Sequence, residues 1–320
     1  MIKWGMIGAG DVTEVKSGPA FKKVKDSDLI AVMRRDEEKV KDYAIRHGIE
    51  SWYTDADEML ASPDINAVYI ATPPHVHLYY VQKALQAGKM VYVEKPLALD
   101  AEEARQIKSL LGQYGGKLVV AHYRRAIPYF VKIKEIVRQG QIGEVSLVQL
   151  KIYKKALPAE ALSISKNQWR VDPAVSGGGL FHDLAPHQID LMAAIFGHPI
   201  DYCGLSDAKE VRDPAVRVAG QILFGGGVLF HGVWDFDRTE EEDVCEILGS
   251  EGKLRFSFFG GTPIVLKTKD RIEEFVFDPL QHVQQPMIEQ VVRYFKGEAD
   301  NPCPIGEGIV CMEVMDAFTK

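Results

Sequence analysis

The sequence predicts an α/β protein with two domains: a doubly wound parallel sheet at the N-terminus and an α+β domain with a large, open, mainly antiparallel sheet. Strand and helix patterns alternate up to about residue 121, which is typical of a parallel sheet covered by helices. From residue 200 onward alternating strand patterns dominate, as in antiparallel sheets with one packed face. The 320 residues also exceed one comfortable core. We therefore place the domains at residues 1–121 and 122–320.

The composition indicates an ordinary globular protein, with 46% hydrophobic and 26% charged residues. The net charge of -7 argues against a nucleic-acid partner or an anionic membrane. No apolar run approaches the ~20 residues of a membrane span, and the chain begins a strand directly rather than a signal peptide. The four cysteines show neither CxxC nor zinc-like spacing, which favours a reduced, cytoplasmic protein without a metal site.

The first strand pattern, residues 2–7, ends in a glycine-rich turn at residues 8–13. This turn matches the first two glycines of G-x-G-x-x-G, a motif that places a dinucleotide pyrophosphate at a helix N-terminus. Thr13 takes the place of the third glycine, so we expect the helix and the strand to pack slightly further apart. The position after a first strand favours a dinucleotide site. The candidate cofactor contacts in this turn are Gly8, Gly10, Asp11 and Val12.

The second strand pattern, residues 28–33, ends in Arg34, Arg35 and Asp36. An NAD site would place an acidic residue at this point to hold the ribose hydroxyls, but Arg34 occupies that place. A guanidinium suits a 2′-phosphate, so the sequence favours NADP(H), with Arg34 and Arg35 as contacts. Two solvated arginines before the helix at 37–47 are the alternative. NAD(H) also stays open, because Asp36 could itself bond a ribose hydroxyl.

A later strand pattern, residues 67–71, runs into Thr72-Pro73-Pro74-His75-Val76-His77. The prolines stop the strand and open a helix, so this loop lies at the carboxyl edge of the sheet. We expect it to contact the nicotinamide or its ribose, although either histidine could simply begin the helix. The candidate contacts are Thr72, Pro73, His75 and His77.

The next strand pattern, residues 90–93, stops at a Glu94-Lys95-Pro96 corner. Pro96 cannot donate to a sheet and biases Lys95 away from helical dihedrals. Lys95 should therefore lie at the carboxyl end of a strand, where open α/β sheets hold their ligands. It can present a cation to a substrate oxygen there; a surface lysine at a loop start is the alternative. A capped helix at 101–114 and a sixth strand at 118–121 complete the sheet.

The second half contains a polar helix face that suits proton transfer. Glycines at 177–179 precede a helical pattern at 182–196, on which Asp183, His187 and Asp190 fall at i, i+4 and i+7. An imidazole flanked by carboxylates is a general acid or base. The alternative is a helix N-terminus that favours acids and has a polar outer face. Pro186 is expected in the first turn, and His182 has no assigned role.

The remaining pattern predicts the second sheet. Alternation in residues 228–234 gives one face packed on helices, and we expect the other face to pair with a second subunit. The predicted elements are a helix at 127–139, strands at 144–153, 215–224, 228–237, 243–248 and 253–258, a hairpin at 263–277, and helices at 285–296 and 307–318.

Three motifs, in this order and spacing, resemble the Gfo/Idh/MocA oxidoreductases: the turn at 7–10, the loop at 71–75 and the corner at 94–96. The likeness runs over essentially the whole chain, and Asp183 with His187 resembles the second signature of the family. The resemblance implies a cis peptide bond between Lys95 and Pro96. It also implies a homodimer or homotetramer assembled through the C-terminal sheet.

The resemblance further implies an NADP(H)-dependent enzyme that moves a hydride between nicotinamide and a sugar, polyol or related small alcohol or ketone. The implied catalytic set is Lys95, which would polarise the substrate oxygen, His187, which would exchange the hydroxyl proton, and Asp183, which would orient the site. Glu94 and Lys95 are also expected beside the cofactor. The further substrate contacts expected are Tyr123, Trp169 and Arg170.

Two other classes of function stay open on the same fold. One is a redox-inactive regulator that binds a dinucleotide or a sugar without turnover; the presence of Lys95, Asp183 and His187 together argues against it. The other is a glycosidase that uses a held nicotinamide for transient oxidation, which would show no net change in the cofactor.

Overall fold

The computed structural model describes residues 1–156, 168–169, 171–209 and 213–319. The chain divides into two units: unit 1 is Met1–Ala126 with Leu280–Ile309, and unit 2 is Ile127–Pro279 with Val310–Lys320. The return of the chain to unit 1 differs from the two-segment division that the sequence predicts. The Lys117 ammonium, for example, donates to the carbonyl oxygens of Tyr294 and Phe295 at 2.8 and 2.9 Å. Periodicity defines each element but does not reveal which sheet a distant segment joins.

Unit 1 contains a parallel sheet of six strands: β1 (Ile2–Ile7), β2 (Ser27–Met33), β3 (Ser51–Tyr53), β4 (Ala67–Ile70), β5 (Met90–Val93) and β6 (Leu118–Val120). The strand order is β3-β2-β1-β4-β5-β6, and all neighbours are parallel. The predicted doubly wound sheet is confirmed. The order reverses between β1 and β4, so their carboxyl ends form the switch point at which such sheets bind ligands.

Helices accompany this sheet, and an aspartate side chain caps the N-terminus of three of them. The helices are α1 (Asp11–Val15), α2 (Gly18–Lys23), α3 (Glu37–His47), α4 (Ala56–Leu60), α5 (His77–Gln86) and α6 (Ala101–Tyr114), with 3₁₀ turns at Pro74–Val76 and Tyr123–Ala126. The Asp100 carboxylate accepts from the Glu103 backbone N–H at 2.9 Å, as predicted for a helix cap. Residues 16–17 separate α1 from α2, and α2 begins at Gly18, where an added Cβ would lie 2.3 Å from the Thr13 carbonyl oxygen.

Aromatic rings fill the core of unit 1. Trp4, Phe21, Tyr69 and Tyr92 are fully buried, and consecutive pairs such as Phe21–Tyr69 and Tyr69–Tyr92 have ring centroids 5.1 and 5.3 Å apart. Burying rings of this size dominates the energetics of a core. The two tyrosines carry their hydroxyl groups into this core, where each requires a polar partner.

Unit 2 contains a sheet of eight strands with the order β14-β13-β12-β11-β7-β10-β9-β8. The strands are β7 (Val145–Lys155), β8 (Pro199–Ser206), β9 (Arg217–Phe224), β10 (Leu229–Arg238), β11 (Glu242–Gly249), β12 (Gly252–Phe256), β13 (Ile264–Thr268) and β14 (Ile272–Phe275). Among the strands in the described part of unit 2, only the central β7–β10 pair is parallel, so the predicted mainly antiparallel sheet is confirmed.

Helices α7 (Pro128–Arg138), α8 (Pro173–Ser176) and α9 (Leu180–Phe196) belong to unit 2, and α10 (Gln285–Phe295) and α11 (Ile305–Thr319) close the chain. The two faces of the large sheet differ in burial. Phe230 and Trp234 on β10 are fully buried, and Trp234 packs against Phe181 of α9 at 5.2 Å between ring centroids. Leu229 on the opposite face is 39% exposed, which follows the predicted alternation. In the described part of the chain, no helix has both the length and the apolar character that crossing a membrane demands.

Candidate active site

The glycine-rich turn after β1 is closed by contacts that require glycine at one position and leave space at the other. Gly8 has a φ of +99°, and an added Cβ would lie 2.9 Å from the carbonyl carbon and oxygen of Ala71. The ends of β1 and β4 are therefore in close contact at Gly8. An added Cβ on Gly10, in contrast, meets nothing within 4 Å. This leaves room for a ligand beside the backbone of Gly10.

Thr13 stabilises the turn from within. Its hydroxyl donates to the Gly10 carbonyl oxygen at 2.7 Å and accepts from the Gly10 N–H at 3.1 Å. Its own carbonyl oxygen accepts from the Tyr43 hydroxyl at 2.8 Å. Thr13 is fully buried, so the residue that replaces the third glycine holds the turn in one conformation.

A cavity of about 300 Å³ lies at the carboxyl ends of the strands in unit 1. The loops that follow β1, β2 and β4 line it, which is the expected position for a dinucleotide. Seven predicted cofactor contacts line this cavity: Gly8, Gly10, Arg34, Arg35, Thr72, Pro73 and His75. Among the described residues the buried Thr72 Oγ1 has no hydrogen-bond partner, so it can bond a ligand. Of the other two predicted contacts in the turn, Asp11 is exposed and Val12 is half-buried.

Arg34 faces the glycine-rich turn. Its Nη1 donates to the Ala9 carbonyl oxygen at 2.7 Å, which leaves further N–H groups of the guanidinium for a ligand. The Asp36 carboxylate instead bonds to α3. It caps this helix by accepting from the Lys39 N–H at 3.1 Å, and it pairs with Lys39 Nζ at 2.7 Å. The cavity wall therefore carries two cations, Arg34 and Arg35, whereas the Asp36 carboxylate caps a helix.

Tyr80 of α5 also lines the cavity, and sequence reasoning missed it. Its ring is nine-tenths buried, and burial raises the pKa of its hydroxyl. Because an aromatic residue on the inner face of a helix is usually part of the core, the sequence contains no signal that singles it out.

His77 does not take the role of a cofactor contact that the sequence predicts. Its ring is fully buried, and its nitrogens lie 2.8 Å from the Thr72 carbonyl oxygen and 3.1 and 3.2 Å from those of Pro96 and Leu97. Burial lowers the pKa of His77 to about 4, although the carbonyl contacts favour the protonated ring. His77 therefore ties the Thr72 loop to the segment after Lys95. Spacing in the sequence cannot distinguish a ring that faces a ligand from one that faces the backbone.

The Glu94-Lys95-Pro96 corner follows β5, and the Lys95–Pro96 peptide bond is cis, as the resemblance implies. Glu94 was expected beside the cofactor, but its side chain is 6% exposed and its carboxylate is turned inward. One carboxylate oxygen accepts from the Tyr69 hydroxyl at 2.6 Å, and the other accepts from the Lys95 backbone N–H at 3.2 Å. Lys95 itself is half-buried at the carboxyl edge of the sheet.

In unit 2, Asp183, His187 and Asp190 lie on α9 at the predicted helical spacing. The helix begins at Leu180, two residues earlier than predicted, because Gly179 adopts a φ of +77° that ends the preceding turn. Pro186 consequently lies inside the helix rather than in its first turn, and the helix lacks one backbone hydrogen bond there. The His182 ring packs directly on Gly178, where an added Cβ would lie 2.1 Å from its Nδ1.

His187 is 5% exposed and contacts the ring of Phe259, with centroids 5.9 Å apart and planes at 69°. The loop that carries Phe259 is held by Asp243, whose carboxylate accepts from the backbone N–H groups of residues 258, 259 and 260 at 2.9, 2.5 and 3.0 Å. Phe259 is a second residue that sequence reasoning missed. Its contact with a helix some 70 positions earlier follows only from the fold.

Three further predicted substrate contacts have different outcomes. Tyr123 is buried in the 3₁₀ turn that ends the first segment of unit 1, with the Arg124 guanidinium 5.8 Å from its ring centroid. Trp169 is half-buried. Arg170 lies outside the described residues.

Known families and structures match both units. Residues 2–122 match the oxidoreductase family with an NAD-binding Rossmann fold, and residues 130–255 match the GFO/IDH/MocA C-terminal domain. Oxidoreductase P35 of Formosa agariphila is 44% identical over 317 residues, which cover 99% of this chain and 98% of that protein.

Two solved structures share the fold at low identity. A 3-ketoreductase from Actinomadura kijaniata, in complex with NADP and TDP-benzene, is 20% identical with a TM-score of 0.84 over 100% of this chain and 98% of that one. Levoglucosan dehydrogenase, in complex with NADH and levoglucosan, is 21% identical with a TM-score of 0.83 over 99% and 96%. Because the matched domains and the P35 protein together span nearly the whole chain, the resemblance is confirmed, and the chain belongs to the Gfo/Idh/MocA family of nicotinamide-binding oxidoreductases.

Proposed function

We propose that the protein is an NADP(H)-dependent oxidoreductase that acts on a sugar, a polyol or a related small alcohol or ketone. The observation that carries the proposal is the cavity at the switch point of the parallel sheet, with Arg34 on its wall and an unpartnered Thr72 hydroxyl. When bound, the nicotinamide supplies or accepts the hydride. A 3-ketoreductase and levoglucosan dehydrogenase on the same fold support this substrate class.

The choice of NADP(H) rests on the charges around Arg34. A 2′-phosphate needs cations, and Arg34 and Arg35 line the cavity. A ribose with two free hydroxyls needs an acceptor, and Asp36 already caps α3. The solved relatives contain NADP in one case and NADH in another, so the fold itself permits either cofactor.

In the proposed mechanism, Lys95 and His187 act on the same substrate oxygen in different roles. The Lys95 ammonium polarises this oxygen and stabilises its developing negative charge. His187 gives or takes the hydroxyl proton, and Asp183 orients its ring and adjusts its charge. Tyr123, Trp169 and Arg170 are proposed to bind the rest of the substrate. We also propose cytoplasmic action, which the four free thiols support.

The outer face of the large sheet supports the proposal of a homodimer or homotetramer. Leu229 pairs across the sheet with Leu223 on one side and Leu147 on the other, so these leucines form an apolar row. Leu205 on the edge strand is 79% exposed. Apolar rows on a sheet face are typical of surfaces that pair with another subunit.

A panel of sugars, polyols and their ketones, followed by the absorbance of reduced nicotinamide, tests the activity. The wild-type protein should show a net change in the cofactor with at least one member of the panel. Lys95→Ala should lose most of this turnover and keep its cofactor affinity, because Lys95 acts on the substrate oxygen. Near-normal turnover of the folded, cofactor-saturated variant would contradict the role of Lys95. Binding of cofactor and sugar without turnover would favour a regulator, and cleavage of a glycoside without net cofactor change would favour a glycosidase.

A further inference from the structure

A cluster of buried polar side chains lies beneath the Lys95 corner, inside unit 1. Its members are Tyr69, Glu94 and Gln284, whose exposed fractions are 0%, 6% and 0%. Tyr69 lies on β4 and Glu94 directly follows the neighbouring strand β5, whereas Gln284 comes from the segment that returns to unit 1 nearly 200 residues later. Buried polar groups of this kind persist only where they bond to one another.

The Glu94 carboxylate is the centre of the cluster. Its Oε1 accepts from the Tyr69 hydroxyl and from Gln284 Nε2, both at 2.6 Å, and its Oε2 accepts from the Lys95 backbone N–H at 3.2 Å. A buried carboxylate is stable only with such donors, so its orientation is set by Tyr69 and Gln284. Burial, followed by the charge of Glu94, raises the pKa of Tyr69 well above its usual value, and its hydroxyl therefore stays a donor.

Hydrogen bonds hold both the backbone and the side chain of Gln284. Its backbone N–H donates to the Lys16 carbonyl oxygen at 3.1 Å, and its Oε1 accepts from the Tyr92 hydroxyl at 3.3 Å. Two residues earlier, His282 accepts from Lys23 Nζ at 2.7 Å and donates through Nδ1 to the Val15 carbonyl oxygen at 2.6 Å. The amide of Gln284 therefore cannot turn away from Glu94 without losing its bond with the Tyr92 hydroxyl.

We propose that Gln284 is a positioning residue of the reaction: it fixes the Glu94 carboxylate, and this carboxylate holds the backbone from which the Lys95 ammonium reaches the substrate. The inference rests on the proposed function, because it concerns the lysine assigned to the substrate oxygen. It explains why a neutral amide stands at this position. A carboxylate there would repel Glu94, and an apolar side chain would leave Oε1 with one donor fewer.

Gln284→Met tests the proposal, because methionine keeps the length of the side chain but cannot donate. We expect kcat to fall by about 10- to 100-fold, the cost of misplacing a catalytic group by up to about 1 Å. The Kd of the cofactor should change little, because Gln284 is not among the residues that line the cofactor cavity. Gln285→Met is the matched control. It carries the same substitution one residue later, where the side chain bonds to Glu289 at 3.1 Å on the surface, and it should keep wild-type kcat.

A double-mutant cycle with Lys95→Ala separates positioning from general structural damage. If Gln284 acts through Lys95, Gln284→Met should not lower the residual kcat further in the Lys95→Ala background. A loss of the same factor in both backgrounds would show an independent structural effect and overturn the proposal. Wild-type kcat in folded Gln284→Met would also overturn it.

Tyr69→Phe provides a second variant if Gln284→Met does not fold, because it removes the other donor to the same carboxylate oxygen, together with the contact of this hydroxyl with Ser17 Oγ at 3.1 Å. It should lower kcat, and its effect should likewise vanish in the Lys95→Ala background; an unchanged kcat or an independent effect would overturn the proposal. The outcomes also distinguish failure of the role proposed for Lys95 from failure of the role proposed for Gln284. Full turnover in Lys95→Ala would remove the role of the lysine itself. Loss in Lys95→Ala with full turnover in Gln284→Met would remove only the positioning role.

Discussion

Replacing Arg34 with alanine should separate two contributions of one side chain to cofactor binding. The guanidinium donates to the Ala9 carbonyl oxygen at 2.7 Å, so it supports the glycine-rich turn that either cofactor would contact. In the proposed function it also bonds the 2′-phosphate, which only NADP(H) has. The first contribution affects both cofactors equally, and the second affects one.

General hydrogen-bond energies give the expected size of each contribution. A partly buried hydrogen bond to a carbonyl oxygen contributes about 1 kcal/mol. Arg34→Ala should therefore raise the Kd of NADH by about fivefold. A charge-assisted bond to a phosphate contributes about 1.5–3 kcal/mol. The Kd of NADPH should therefore rise by a further factor of roughly 10 to 150. The ratio of the two dissociation constants therefore measures the phosphate contact alone.

Calorimetric titration of NADPH and NADH into the wild-type and variant proteins measures both constants. Lys41→Ala is the matched control, because it removes one positive charge from a partly exposed side chain on α3 that pairs with Glu37 and does not line the cavity. It should leave the ratio unchanged. Equal losses for both cofactors in Arg34→Ala, or tighter binding of NADH by the wild-type protein, would refute the reasoning.

His187→Ala should lower turnover by about 10²–10⁴-fold and remove one inflection from the pH–rate profile, as expected for a proton carrier; normal turnover would exclude that role. Asp183→Asn should keep the fold and displace the same inflection, because it removes a charge near the imidazole; an identical profile would exclude the coupling. Light scattering should show a dimer or a tetramer, and Leu229→Glu should dissociate it. A wild-type monomer at micromolar concentration would disprove assembly through the large sheet. Buried His77 should contribute about 3 kcal/mol to the fall in the free energy of unfolding as the pH drops from 6.5 to 4, because the unfolded chain binds a proton that buried His77 does not; His77→Gln should lose this contribution, and equal falls in the two proteins would contradict the burial argument.

The sequence predicted the fold class, and it predicted which loops of unit 1 lie at the carboxyl edge of the sheet, because local chemistry determined both. Gly8 is required where β1 meets the loop after β4, and Pro96 ends β5 at Lys95, so both positions follow from backbone constraints. The order of strands follows from alternation of strand and helix together with the rules for parallel sheets. The cap of α3 by Asp36, in contrast, was not predicted and is seen only in the structure.

Contacts between distant segments were not predictable in this way. Glu94 bonds to Gln284 across nearly 200 residues, and His187 contacts Phe259 across about 70, and no periodicity in either segment indicates such a pairing. His77 shows a different limit. The sequence correctly predicted that this residue lies at the carboxyl edge of the sheet. The ring nitrogens, however, contact three backbone carbonyl oxygens, and only the fold determines which way the ring points.

The most direct test of the account is the fate of the hydride. The protein would be incubated with a ketone that the substrate panel identifies and, in separate reactions, with NADPH deuterated on either face of nicotinamide C4. Mass spectrometry of the alcohol product should show one deuterium on the former carbonyl carbon with one of the two labelled cofactors and none with the other. Product that forms with no deuterium from either cofactor would contradict direct hydride transfer, and with it the central claim.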